Sequence, residues 1–386
     1  MAEKYAITIN AGMHSRVNCP VSIEIPDNIG ANKHFRLLQE GSSSTIPVQA
    51  VRNGNKCVLH WLVSRLKAGE RIQYQLEVVT ESDQNDQVVL EHDKENATVQ
   101  VNILGRLFTR YHYGNSWARP FLHPVIGPHD LEVTRGWPVV DDIPGESNDH
   151  PHHKSIWVAY GECGKVDNWS EEPGHGVQRH QSFRKLLSGP VFGHIQAKNY
   201  WCNASGRKQF EEIRDIIIYA LPAGERLVDF SISFHMTESA VTFHDTKEGG
   251  LISVRVATPL DGDKSGLITN GYGGVSEVET WGKKAPWCDY SGTLNDRNLG
   301  ICLFDHEQNP RYPTEWHVRD YGLITANCFG WKYFRPEMKE KGDMQFNKGQ
   351  KTSWRYRMYI HKGNAERAYV GDRFFDFIAP PKPTFS

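Results

Sequence analysis

The sequence predicts a mainly β protein: a large antiparallel β-sandwich, of which a supersandwich-like arrangement is one form, preceded by a small immunoglobulin-like β-sandwich. Three observations predict it. Short runs alternate apolar and polar residues with a period of two. Turn residues punctuate the chain throughout, drawn from 34 Gly and 20 Pro. Amphipathic helical periodicity sustained over about eleven residues is hard to find. The 11 Trp, 15 Tyr and 17 Phe fit the same class, because aromatic rings pack well on a pleated surface.

The 386 residues suit two domains or one large β-domain. Residues 1–95 read as the small sandwich. Its candidate strands are 5–9, 21–25, 48–51, 56–62 and 72–78, with turns at Pro26-Asp27-Asn28, Asn53-Gly54-Asn55 and Ala68-Gly69-Glu70. The polar run 80–87 is a hairpin loop or a linker. Residues 96–386 read as the large sandwich, with candidate strands 97–104, 155–160, 193–197, 211–219, 227–234, 251–256, 300–304 and 354–360. In the first of these, Val99, Val101 and Ile103 share one face, and Thr98, Gln100 and Asn102 share the other.

Bulk properties exclude several functions. There are 44 basic and 46 acidic side chains and no long basic run, so the electrostatic footprint of a nucleic-acid binder is missing. No apolar run approaches the roughly 18 residues of a membrane span. The N-terminus carries no apolar signal region, which makes a cytoplasmic protein the expectation. Seven scattered cysteines without a Cys-x-x-Cys pair signal neither a disulfide framework nor a zinc knuckle. No Gly-x-Gly-x-x-Gly fingerprint, P-loop, Gly-x-Ser-x-Gly elbow or His-Glu-x-x-His helix is present.

The chemistry concentrates in three motifs. Nine of the 18 histidines lie between His112 and His194, and three of them fall in Asp149-His150-Pro151-His152-His153-Lys154. Pro151 biases His150 toward an extended backbone. His150 and His152 would then share a face, roughly 6.6 Å apart, with His153 pointing the other way. Such a His-x-His pair is a metal half-site that needs further ligands, so a divalent ion is the one cofactor the residues admit. The second motif, Trp316 to Gly322, puts His317, Arg319 and Tyr321 on one face of an extended chain, with Asp320 on the other. The third, Phe243 to Gly250, pairs His244 with Glu248 on one face if extended, and Glu248 is a candidate general base. Trp281 and Trp287 flank a loop near Asp289, and Arg119, Trp157 and Trp169 are further candidate ligand contacts.

Thr109-Arg110-Tyr111, Arg119-Pro120-Phe121, His123 to Pro128, Asp149 to Trp157, Asp245 to Gly249 and Trp316 to Gly322 together resemble the bacterial family labelled "methane oxygenase PmoA" over roughly residues 100–375. Members carry Asp-His-Pro-His-His-Arg, and Lys154 stands here in place of the Arg, a change that weakens bidentate contacts. The resemblance implies a carbohydrate-utilisation setting on a large β-sandwich. Its label implies a metal-dependent oxygenase, which would need a His-His-carboxylate iron set.

The leading functional expectation is a carbohydrate-active enzyme of lyase, epimerase or hydrolase type. His152 or His153 would be the general acid or hold an ion, and Glu248 or His317 would be the base. Arg319 and Tyr321 would hold a carboxylate or hydroxyls. Arg119, Trp157, Trp281, Trp287 and Asp320 complete the expected substrate wall, and the partner is a small molecule or oligosaccharide. A non-catalytic glycan-binding protein is the alternative from another class. Oligomeric state stays open.

Overall fold

The computed structural model describes residues 3–29, 33–82, 84–222 and 224–385. About 50% of the chain is strand and 7% is helix. The longest helix, Val370–Ile378, has nine residues, which explains why no helical period was legible. Among the described residues, no helix is long and apolar enough to cross a membrane.

The small sandwich packs a three-stranded sheet, built from Arg16–Ile25, Lys56–Leu66 and Gln49–Asn53, against a five-stranded one. Alternation drives this. Cys57, Leu59, Trp61 and Val63 point into its core with Ile7, Leu37 and Leu76. Gly54 turns the hairpin between Gln49–Asn53 and Lys56–Leu66 at a φ of 58°, a conformation that glycine adopts without a Cβ clash. The chain's last strand, Thr384–Phe385, returns to pair with Lys4–Asn10. The strand Val88–Asp93, grouped with the small sandwich in the sequence reading, pairs with Thr98–Ile103 in the large one. Of the polar run before it, Asp83 lies outside the described residues.

The large sandwich consists of two eight-stranded antiparallel sheets. The first runs, in spatial order, Glu315–Arg319, Leu323–Asn327, Gly249–Arg255, Ile156–Tyr160, Phe121–Val125, Arg106–His112, Thr98–Ile103 and Val88–Asp93. The second contains Val177–Leu187, Phe192–Cys202, Lys208–Tyr219, Arg226–His235, Lys351–Lys362, Arg297–Asp305, Trp287–Leu294 and Leu267–Asn270. One continuous core lies between them, taking Val99, Val101 and Ile103 from one sheet and Phe230, Ile232 and Met358 from the other.

The first sheet is two-faced, and this positions the site. Ile156, Val158 and Tyr160 enter the core, while Trp157 and Ala159 point outward. Trp316, Val318, Ile324 and Ala326 enter the core, which turns His317, Arg319 and Leu323 out. Trp157, Ala159, Leu323, Phe121 and Trp169 form a separate apolar cluster on this outer face. Loops from three distant parts of the chain close over it.

A composite cleft as the candidate functional site

A cleft of about 600 Å³ lies on that outer face. His150, His152 and His153 form one wall, Thr246, Lys247 and Glu248 a second, and His317, Arg319 and Tyr321 a third. Gly161, Glu162, Lys165, Asp167, Trp169 and Ser170 complete it. The three motifs singled out in the sequence therefore meet at one place.

The histidine segment is a turn and not an extended strand. His153 N–H donates to the His150 carbonyl at 2.9 Å, with Pro151 in the second turn position, where its fixed φ fits. His150 takes a φ of 43°, in the left-handed region. Pro151 excludes the right-handed helical region for His150, and the turn takes the left-handed one in place of the extended conformation. The expected faces change as a result. His150 stacks on His153 at 4.8 Å and 7°, not beside His152 alone. His153 stacks in turn on Trp157 at 5.1 Å, and His150 on Tyr321 at 4.8 Å. Four rings thus form a column rising from the sheet into the cleft. His152 sits edge-on to His150, His153 and Trp169.

Behind the turn lies a network that fixes it. Asp149 accepts from Arg255 Nη2 at 3.0 Å and from Arg135, and both guanidiniums are buried. Burial pulls the Asp149 carboxyl up, but Arg255, His150 and Arg135 outweigh it and hold it at about 2. His150 Nδ1 lies 2.8 Å from Asp149 Oδ2. The approach is off the line of a full hydrogen bond, and the carboxylate faces Nδ1 all the same. It still favours the proton on Nδ1 and leaves Nε2 with its lone pair.

His153 and His317 have the opposite polarity. Arg255 Nη1 lies 3.2 Å from His153 Nδ1, and Trp281 Nε1–H donates to His317 Nδ1 at 3.0 Å. Guanidinium and indole can only donate, so both Nδ1 atoms accept and both protons sit on Nε2. Burial keeps the two rings neutral. It pushes His153 well below the usual range, with help from His152 and Arg255, and His317 to about 3, with help from Lys247 and Arg319. Burial and Arg119 likewise push His152 to about 3. Tyr321 is raised to about 12 by burial, and its phenol stays protonated.

The third segment is not extended. His244 turns away to Asp343, with Nδ1 3.5 Å from its carboxylate. Asp245 accepts the backbone N–H groups of Lys332 and Gly342. This leaves Lys247 and Glu248, neighbours in sequence, both lining the cleft and paired with each other. Gly161 makes the approach of this loop feasible, since a Cβ there would meet the Glu248 carbonyl oxygen at 2.5 Å.

Several expected contacts lie elsewhere. Trp157 is buried under His153. Arg119 is buried behind the wall and donates to the carbonyls of His152 and Trp169, so it positions the cleft and does not line it. Trp281 reaches the site only through His317. Trp287 belongs to the second sheet and packs near Phe304 and Tyr359, because its strand alternation turns it to that sheet's far side. Asp320 is exposed in the turn after Arg319, with its backbone held by Glu277 and Tyr290. Sequence reading missed Arg135, Arg255, Glu162, Lys165 and Asp167. Arg255 carried a signal, as a lone cation in the apolar strand Gly249–Arg255.

For an ion, the donor set is thin. His150 and His152 have ring centroids 5.7 Å apart, and among the described residues no group of three or more His, Cys, Asp or Glu is placed to share one. A ligating histidine donates its second N–H to an acceptor. His153 and His317 instead accept at that nitrogen, which fits hydrogen-bond donation into the cleft and not coordination. All seven cysteines are buried and unpaired.

A search of curated proteins returns no match. Among solved structures, the chain is similar to an alpha-mannosidase from Enterococcus faecalis V583 (7% identity, TM-score 0.46, covering 99% of this chain and 46% of that one). It is also similar to a protein in the glycosyl hydrolase family 38 from Enterococcus faecalis (9%, 0.41, 99% and 47%). A third is a GalM/aldose epimerase homologue from C. elegans (8%, 0.31, 72% and 100%). The chain spans about half the length of the first two. The resemblance to the family labelled methane oxygenase PmoA is overturned, because the matching family model is a different one, and the oxygenase expectation loses the label it rested on. The chain belongs to the family described as Family of unknown function (DUF6807), whose model matches residues 98–374, a span that holds every cleft residue named above.

Proposed function

We propose that the cleft binds a sugar and carries out acid–base chemistry on it. The observation that carries this reading is the convergence of three sequence-distant polar segments on one cleft with the Asp149–His150 pair at its wall. A sugar hydroxyl both donates and accepts, so its site needs interleaved donors and acceptors. The cleft offers donors at His153, His317, Lys247 and Arg319, and acceptors at His150, Glu248, Asp167 and Glu162. Its three cations and three carboxylates balance, which favours a neutral polyol over a polyanion.

The roles differ from those read off the sequence. His150 is the proton carrier, oriented by Asp149. Glu248 is the second group able to move a proton. His153 and His317 are donors, since a neutral imidazole N–H is too weak an acid to protonate a leaving group. Tyr321 and His152 provide an aromatic wall and hydroxyl contacts.

The test is calorimetric binding of a panel of mono- and oligosaccharides, followed by product analysis on those that bind. Binding together with turnover that fails in Glu248→Gln is the expected result. If no sugar binds, the proposal is wrong. Binding without any turnover would leave a glycan-binding protein and remove the acid–base roles.

A further inference from the structure

The paired polarity of His153 and His317 reaches further than sugar binding. His361, fully buried away from the cleft, spends both nitrogens on protein partners: Asp289 at 2.7 Å and the Lys362 carbonyl at 3.4 Å. His153 and His317 are 1% and 2% exposed, yet only Nδ1 is engaged among the described residues, and both rings line the cleft. Each Nδ1 is held by an obligate donor from a different element: Arg255 at the end of Gly249–Arg255, and Trp281 just after the short helix Ser276–Thr280. The fold thus presents two fixed, neutral N–H donors to the same cleft that holds one imidazole of the reverse polarity, His150. Two such donors match an oxygen that gains charge during a reaction, because they are oriented beforehand and carry no proton they would give up.

We infer that the substrate presents a carbonyl oxygen to the Nε2–H groups of His153 and His317, and that the reaction is proton transfer at the carbon beside that carbonyl. The assignment rests on the sugar-site reading and narrows its substrate to a sugar with a free aldehyde, keto or uronate carbonyl. In the step, the C–H bond beside the carbonyl breaks and its proton passes to His150 Nε2. The electron pair of that bond forms a C=C bond, and the carbonyl π pair moves onto oxygen, giving an enediolate held by the two N–H donors. Return of the proton to the former carbonyl carbon, with a proton moved between the two oxygens, interconverts aldose and ketose. Return to the original carbon restores the substrate, with its hydrogen exchanged for one from solvent. No oxidant, reductant or co-reactant takes part.

The experiment incubates the full chain in D₂O with free hexoses, pentoses and hexuronates, and with the matching neutral methyl glycosides, whose carbonyl is locked. Proton NMR follows the hydrogen beside the carbonyl, and calorimetry measures binding in parallel. The expected result is exchange with at least one free sugar, none with methyl glycosides, and at least a hundredfold slower exchange in His150→Gln. Binding of a free sugar without exchange overturns the carbonyl assignment and leaves the sugar site standing, as does methanol release from a methyl glycoside. Absence of binding across the panel overturns both. Trp281→Phe removes only the N–H that polarises His317. It should slow exchange about tenfold with binding retained, and ¹⁵N NMR should show His317 losing its pure Nε2–H tautomer. An unchanged tautomer and rate in this variant would remove His317 from the role.

Discussion

Of the Asp–His pairs on the outer faces of the two large sheets, Asp289–His361 and Asp149–His150 stand at opposite extremes of access. On the second sheet, His361 reaches across Gly300 of the intervening strand to Asp289, and both side chains are fully buried. A Cβ at Gly300 would lie 2.6 Å from His361 Cε1, so glycine is what lets the ring lie there. On the first sheet, His150 and Asp149 are 37% and 38% exposed. Their backbone is a turn with a left-handed residue, and two buried arginines crowd one carboxylate. The closed pair spends both imidazole nitrogens inside the protein, on Asp289 Oδ2 and the Lys362 carbonyl. The open pair keeps a nitrogen for a ligand. The proposed chemistry belongs to the pair that the loops leave uncovered.

The comparison breaks most directly by exchanging the consequences. His150→Gln should lower turnover about 10²- to 10⁴-fold, the range for a positioned proton carrier, with little change in melting. His361→Leu should do the reverse. It strands Asp289 in the interior and costs roughly 3–5 kcal/mol of stability, read by urea unfolding, while sugar affinity measured below the melt stays the same. Loss of turnover in a folded His361→Leu protein would mean that the closed pair serves the chemistry after all.

A smaller effect sharpens the same contrast at the cleft wall. Gly161→Ala forces a methyl against the Glu248 carbonyl and should cost about 1–3 kcal/mol as the loop gives way. The displaced loop carries Lys247 and Glu248, so KM should rise more than stability falls. Unaltered kinetics would detach that loop from the site.

The sequence made the sheets legible because their cores alternate, as in Val99, Val101 and Ile103. It made the three polar motifs legible because buried walls seldom tolerate such residues. The same alternation set His317 and Arg319 on one face of Glu315–Arg319. Geometry inside loops was not legible. The left-handed His150 sits beside an Asp149 gripped by Arg135 and Arg255, and those arginines are 14 and 106 residues away from Asp149. Lys247 and Glu248 share the cleft because Asp245 anchors to a distant turn. Trp287 looked like a ligand platform because its neighbours resembled a loop. It starts a strand whose outer face the C-terminal helix closes, a long-range contact that no local pattern reports.

The smallest effect is a difference in slope with pH. His152, His153 and His317 are all pushed below the usual imidazole range, chiefly by burial. Below about pH 6.5 the unfolded chain protonates these rings and the folded chain does not. The unfolded state then binds more protons, so stability falls as pH falls, by up to roughly 1.4 kcal/mol per pH unit for each ring. The fall continues until the folded ring titrates, near 3 for His317. Asp149 adds to the loss lower down, since its folded value of about 2 lies under the ordinary 3.8. His317→Gln removes one proton from this balance. Its unfolding free energy, measured in urea from pH 7 to pH 4, should therefore fall less steeply than that of the unchanged chain, by up to about one proton. Equal slopes would mean that His317 is protonated in the folded protein, and a cationic ring there could not accept the Trp281 N–H.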